Sequence, residues 1–188
     1  MAIVAASLLA GGCSLLAGTP PDTYSLTAPS FERRARPARG LLVVAEPVAI
    51  QALDSQSIVA RPGTGEITYI SRSQWSDRLP LLLQARIVEA FENANRINAV
   101  GRTGERLSPD YQLTTDIRQF EVDAMTGQAV VELAVKIVND RSGRIVAGEV
   151  FSARVPVGGV TGPEAARGLD LALAEVLTDL VRWATARI

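Results

Sequence analysis

Three carboxylates, Asp116, Glu121 and Asp123, fall close together in one strand-like stretch. Groups of that kind can exchange protons as an acid/base pair, or hold a divalent cation through oxygen ligands. Asp116 and Asp123 stand at an odd separation, so plain strand alternation puts them on opposite faces. An inserted residue between them would reunite them on one face. Nothing else in the sequence converges on them. The chain has no histidine, which removes the commonest general base, the commonest metal ligand and every Ser-His or Cys-His dyad. Its one cysteine, Cys13, permits neither an internal disulfide nor a cysteine zinc site. Lys136 is the sole lysine. The expectation is a chain without catalytic residues, cofactor or metal, in which these carboxylates form a wet strand face. Glu132 and Lys136 read as a same-face surface pair.

Cys13 asks for a different chemistry. Residues 2–17 carry no charged side chain. The run is shorter than the ~20 apolar residues that span a bilayer, but Ile3 to Leu9 has the length of a signal-peptide apolar region. Small residues follow, and Leu9-Ala10-Gly11-Gly12-Cys13 resembles a bacterial lipobox, with Ala10 where leucine is usual. In such a motif the thiol receives a diacylglyceryl group and the signal is cut just before it. Small residues suit a peptidase that must accept extended backbone. Several acyl chains hold a protein firmly where one is marginal, at ~0.8 kcal/mol per buried CH₂. Residues 1–12 are then read as signal peptide, 13–40 as lipidated tether and linker, and 41–188 as the folded domain. Ser14 after the cysteine favours the outer membrane, facing the periplasm.

Composition supports one domain with a real core, since 47% of residues are hydrophobic. Nineteen basic against 20 acidic residues give a net charge of -1, which argues against a nucleic-acid partner. Gly18-Thr19-Pro20-Pro21-Asp22 interrupts regular structure, and Arg33, Arg34, Arg36 and Arg39 read as a solvated basic linker.

The elements that position these groups follow from periodicity. Leu41 to Ala45 is β-rich. Ser57–Arg61 and Glu66–Ile70 flank Pro62-Gly63-Thr64-Gly65 as a hairpin. Leu79, Leu83, Ile87, Phe91 and Ala94 make the apolar stripe of a first helix, capped by Ser76 or Asp77 with Pro80 in its first turn. A short strand near Ala99–Arg102 follows. Large residues fall on odd positions in Tyr111 to Ile117 and on even ones in Phe120-Glu121-Val122, so a β-bulge is predicted near Arg118-Gln119. Val131, Leu133, Val135 and Ile137 alternate in the next strand. Asn139 to Gly143 turns the chain, and Ile145 to Pro156 returns. Leu169, Leu173, Val176, Leu177, Leu180 and Ala184 line a last helix opened by Thr161 or Gly162 with Pro163. The expected class is α+β, a mainly antiparallel sheet of about six strands with two amphipathic helices on one face. Trp75 and Trp183 read as packing anchors.

Set in order, these landmarks resemble a known family. Tyr24-Ser25-Leu26, Val59-Ala60-Arg61 with Tyr69, Gln74-Trp75-Ser76-Asp77-Arg78-Leu79-Pro80, Asp110-Tyr111-Gln112-Leu113 leading to Phe120, Asp140 to Arg144, and a final helix ending in Arg182-Trp183 fall in the same sequence. The family is that of the ABC-type transport auxiliary lipoproteins, similar to the lipoprotein of the paraquat-inducible MCE system. The resemblance implies a lipid-anchored, non-catalytic subunit of an envelope lipid-transport system. Its implied partners are an MCE-domain protein and an ABC permease and ATPase, with assembly into a homo-oligomeric ring known among relatives. ATP hydrolysis would fall to the ATPase, since this chain has no nucleotide-binding motif. Arg61, Tyr69 and Trp75, or an exposed strand edge, are the candidate partner-docking positions. The rival reading is an envelope structural or assembly lipoprotein that moves no lipid, and a carboxylate enzyme is the third.

Overall fold

In the computed structural model, residues 19–32, 38–105 and 107–188 are described. Within them the chain runs β1 (Asp22–Tyr24), β2 (Ala38–Val44), β3 (Val48–Ala49), β4 (Ser57–Arg61), β5 (Thr68–Trp75), α1 (Leu79–Ala94), β6 (Ile97–Arg102), β7 (Tyr111–Asp123), β8 (Gln128–Asn139), β9 (Arg144–Pro156) and α2 (Gly162–Thr185). Cys13 and the expected signal peptide lie outside the described residues.

β7 is the axis of the single nine-stranded sheet. Along one edge it pairs antiparallel with β8 through its whole length, and β8 pairs with β9 in the same sense. Along its other edge β2, β3 and β4 follow one another, each parallel to it. β2 also pairs with β6, and β1 with β5, both in parallel. The fold is α+β, but the sheet is mixed. Five of its eight strand pairings are parallel, which corrects the expectation of a mainly antiparallel sheet of about six strands. Turn residues announce hairpins, so the antiparallel pairs β4–β5, β7–β8 and β8–β9 were visible locally. A parallel pair joins segments far apart in sequence and leaves no local mark. β1 and β3, at three and two residues, are too short to show any period.

The bulge falls where parity placed it. Between Ile117 and Gln119 the β7–β8 register slips, leaving Arg118 as the extra residue. Leu113, Ile117, Phe120 and Val122 therefore all reach the buried core beneath the helices. Each helix buries the stripe its periodicity marked, Leu83, Ile87 and Phe91 on α1 and Leu169, Leu173, Leu177 and Leu180 on α2. α2 is capped at Thr161, as expected, but the cap of α1 differs. Arg78 is the N-cap of α1 and makes no side-chain capping bond. The Leu79 N–H is instead satisfied by the Ser55 carbonyl at 3.0 Å, so a loop carbonyl replaces a capping side chain.

α2 approaches the sheet closely at one glycine. A Cβ on Gly168 would lie 2.3 Å from Val157 Cγ1 and 3.0 Å from Ala129 Cβ. Neither neighbour is a long flexible side chain that could swing aside. Gly168→Val is expected to destabilise the domain by ~1–3 kcal/mol through overpacking. The check is a urea unfolding curve, and an unchanged midpoint would show that the helix can ride outward freely.

The N-terminal segment is built into the fold. β1 continues the sheet beside β5, Leu26 is buried, and Phe31 packs against the core. Asp170 on α2 accepts from the Thr27 N–H at 2.7 Å and from its hydroxyl at 2.9 Å. Asn93 on α1 donates to the Pro29 carbonyl at 3.2 Å. Residues 22–31 thus cross from the β5 side of the sheet over both helices, within the stretch whose sequence reads as tether.

Candidate docking surface

With both helices on one face, the other face of β4, β7, β8 and β9 is free of helices, exposed at its margins and buried at its centre, where Val59, Glu121 and Val130 lie. Cross-strand partners share a face, so its rows can be read from the register. One row runs Tyr69, Val59, Glu121, Val130, Arg154 across five strands. Another runs Val48, Asp116, Ala134, Val150. Exposed apolar side chains recur here: Val48, Tyr69 and Val150, with Ile145 near the start of β9.

Arg61 is fixed on this face by a forked pair. Its Nε donates to Glu121 Oε1 at 2.7 Å and its Nη2 to Glu121 Oε2 at 2.9 Å. The Glu121 side chain is 4% exposed and that of Arg61 31%, so the arginine roofs a buried carboxylate. That hydrogen bonding raises the guanidinium pKa above its ordinary value, against the opposing cost of burial. Tyr69, 55% exposed, stands beside Val59 on the same face. Trp75 lies elsewhere. It ends β5 with 1% exposure, its ring edge-on to Phe120 at 5.8 Å, and so supports the sheet from within the core. Of the three candidate positions, the open face brings together Arg61 and Tyr69 and offers no surface at Trp75.

The three carboxylates do share this face, because the bulge at Arg118 reunites Asp116 with Glu121 and Asp123. They do not form one site. The partners of Asp116 and Glu121, Ala134 and Val130, stand four residue steps apart on β8, or ~13 Å of strand. Glu121 is committed to Arg61. Asp123 Oδ1 accepts from the backbone N–H groups of Met125 at 2.9 Å and Thr126 at 3.1 Å. Hydrogen bonding from the Thr126 side chain and backbone holds the Asp123 carboxyl below the usual carboxylate range. Among the described residues no cluster of three or more ligands could hold a metal ion. Glu132 pairs with Arg118 at 3.6 Å and not with Lys136, since four residues along a strand are too far for an ion pair.

Two clefts elsewhere on the molecule have mainly polar linings. One, of ≈ 360 Å³, lies between α1 and β6 and includes Arg86, Glu89, Glu92, Arg102 and Glu105. The other, of ≈ 400 Å³, includes Asp110, Tyr111, Asn139 and Arg141. Neither has the deep apolar wall an acyl chain needs.

The model of the ABC-type transport auxiliary lipoprotein component matches residues 24–181, from near the start of the strap formed by residues 22–31 to the last turns of α2. The chain belongs to this family. A match over that span takes in every strand from β2 to β9, Arg61, Tyr69, Trp75 and the Thr27–Asp170 contact. The chain is 31% identical over 182 residues (94% of its length) to an uncharacterized protein of Bradyrhizobium diazoefficiens, and spans about half (49%) of that relative's length. It is similar to the crystal structure of the Xanthomonas campestris protein XCC0632, of family DUF330, with 29% identity and a TM-score of 0.78 over 88% of this chain and 95% of that one. A second crystal structure, of an uncharacterized protein, shares the fold at a TM-score of 0.68 and 13% identity, covering 88% of this chain and 99% of the other. By its description, the family is that of auxiliary lipoprotein components of ABC-type transport. Among the described residues no helix is long and apolar enough to cross a membrane. Sequence reasoning did not find the Thr27–Asp170 clamp, because no local pattern links residues 143 positions apart.

Proposed function

We propose that this chain is a periplasm-facing, non-catalytic subunit of an ABC/MCE-type lipid-transport system, held to the outer membrane through lipid on Cys13. The domain docks with the MCE-domain protein, and the permease and ATPase supply membrane passage and energy. The observation that carries this reading is the family match over nearly the whole domain, joined to exposed side chains such as Tyr69 and Val150 on the sheet face away from the helices. The charged, shallow clefts favour docking over lipid carriage. The carboxylates support the same reading, since each is engaged in structure or stands apart.

The test is a detergent-solubilised pull-down on the C-terminally tagged chain, with Cys13→Ala as control. The expected result is recovery of an MCE-domain protein with its permease and ATPase, and several-fold less with Cys13→Ala because the unanchored protein leaves the membrane fraction. Absence of all three, from protein shown to be lipidated and folded, leaves an envelope scaffold that moves no lipid.

A further inference from the structure

β9 is an edge. It pairs with β8 on one side, and among the described residues no strand pairs with the other. Natural sheets guard such edges with bulges, proline, charge or brevity. Here a bulge and a proline stand at the ends, and two charges, Glu149 and Arg154, lie within. Val146 is skipped in the register against β8, and Pro156 closes the strand. Between them residues 147–155 form an open run of ~30 Å. Its middle, Val150-Phe151-Ser152-Ala153, carries no charge. Val150 is 43% exposed, and Phe151 is held edge-on against Trp183 at 5.5 Å. By contrast β1, at the far edge, has three residues.

Two charges flank that middle on opposite faces. Arg154 pairs across from Val130 on the open face, and Glu149 across from Val135 on the helix face. Neither makes an ion pair among the described residues. A second copy cannot compensate them. Two β9 edges meeting antiparallel with their helix layers on one side are related by an axis normal to the sheet, so residues opposite one another have the same facing. Glu149 then never stands opposite Arg154.

We propose that β9 accepts an extended segment of a partner protein as a tenth strand. The backbone of residues 147–155 supplies the hydrogen bonds, and side chains set the choice. The segment carries an acidic residue opposite Arg154 and a basic residue opposite Glu149, five positions apart, with apolar or β-branched residues between them against Val150 and Phe151. This deepens the proposed function, on which the identity of the partner rests, by replacing a generic docking face with one edge and one ligand chemistry.

The test has two arms. In the first, the probe is a synthetic peptide with glutamate and lysine five positions apart around alternating valine and threonine, added to the full chain and followed by amide hydrogen exchange. Alternate amides of residues 147–155 are expected to slow, and a peptide with the two charges exchanged is expected to bind about tenfold more weakly. No protection of β9 at millimolar peptide, or equal binding of both peptides, overturns the proposal. Protection that appears without peptide and grows with protein concentration also overturns it, in favour of self-pairing. In the second arm the variant Glu149→Arg with Arg154→Glu is compared with the unaltered chain for recovery of the MCE-domain protein. Both residues are exposed, so the fold is retained, and circular dichroism confirms it. Lost recovery supports the edge as the docking site. Unchanged recovery by a complex that forms overturns it there. A peptide that protects β9 while no MCE-domain protein is recovered from either form keeps the edge and removes the transport reading.

Discussion

Trp75→Ala is expected to lower the stability of the domain by ~3–5 kcal/mol, among the largest effects any single truncation here should have. The side chain is 1% exposed at the end of β5, and its ring meets Phe120 from the central strand edge-on. Removing it takes away aromatic burial and leaves a cavity beneath the point where β5 hands over to α1. The surroundings cannot close on it, because β5 is held to β4 and β1, and the Trp75 N–H is bound to the Gln56 carbonyl at 2.7 Å. A denaturant titration followed by circular dichroism reads the loss directly. Partner recovery per folded molecule should stay as it was. Full stability with lost recovery would instead make Trp75 a contact residue and contradict its buried position.

Arg61→Ala should cost about 2–3 kcal/mol by a different route. It strands the Glu121 carboxylate, 4% exposed, without the fork that neutralises it. Breaking a fully buried pair costs ~3–5 kcal/mol, and the figure here is lower because the 31% exposed arginine leaves water some access to the site. The diagnostic is the double variant. Arg61→Ala with Glu121→Met removes the stranded charge and fills its volume, so much of the loss should return. If the double variant is as unstable as the single one, the guanidinium acts through packing over Val59 and not through charge. Because Arg61 also faces the open side, the double variant separates stability from docking: it folds, yet presents a different surface.

Periodic elements were legible in the sequence. The stripes of α1 and α2 named their buried residues, and the parity change from Ile117 to Phe120 located the bulge, because both signals are local and repeat over several turns or pleats. Pairing direction was not legible. Nothing in Leu41 to Val44 states that it will lie parallel to both β6 and β7, and that choice is made by packing after the elements exist. The Arg61–Glu121 fork was half visible. Both residues drew notice, one as a docking candidate and the other as a carboxylate, but their contact depends on the β4–β7 register. Trp75 shows the converse limit. It carried two readings in the sequence, packing anchor and docking position, and its burial against Phe120 bears out the first. Glu132 was given the wrong partner because sequence distance stood in for spatial distance, and Arg118 across the bulge is nearer.

The strap gives the molecule a direction. β1 holds one margin of the sheet and β9 the opposite one, with β5, β4, β7 and β8 between them. Five inter-strand steps set the two margins ~24 Å apart. With lipid on Cys13, the leash ends at Asp22 and not at residue 40, because β1 pairs with β5 and Asp170 clamps Thr27 to α2. Nine residue steps can stretch to at most ~32 Å. The protein would then stand like a short mast stepped at its β1 foot, bringing its opposite margin to bear on whatever reaches across from the far side.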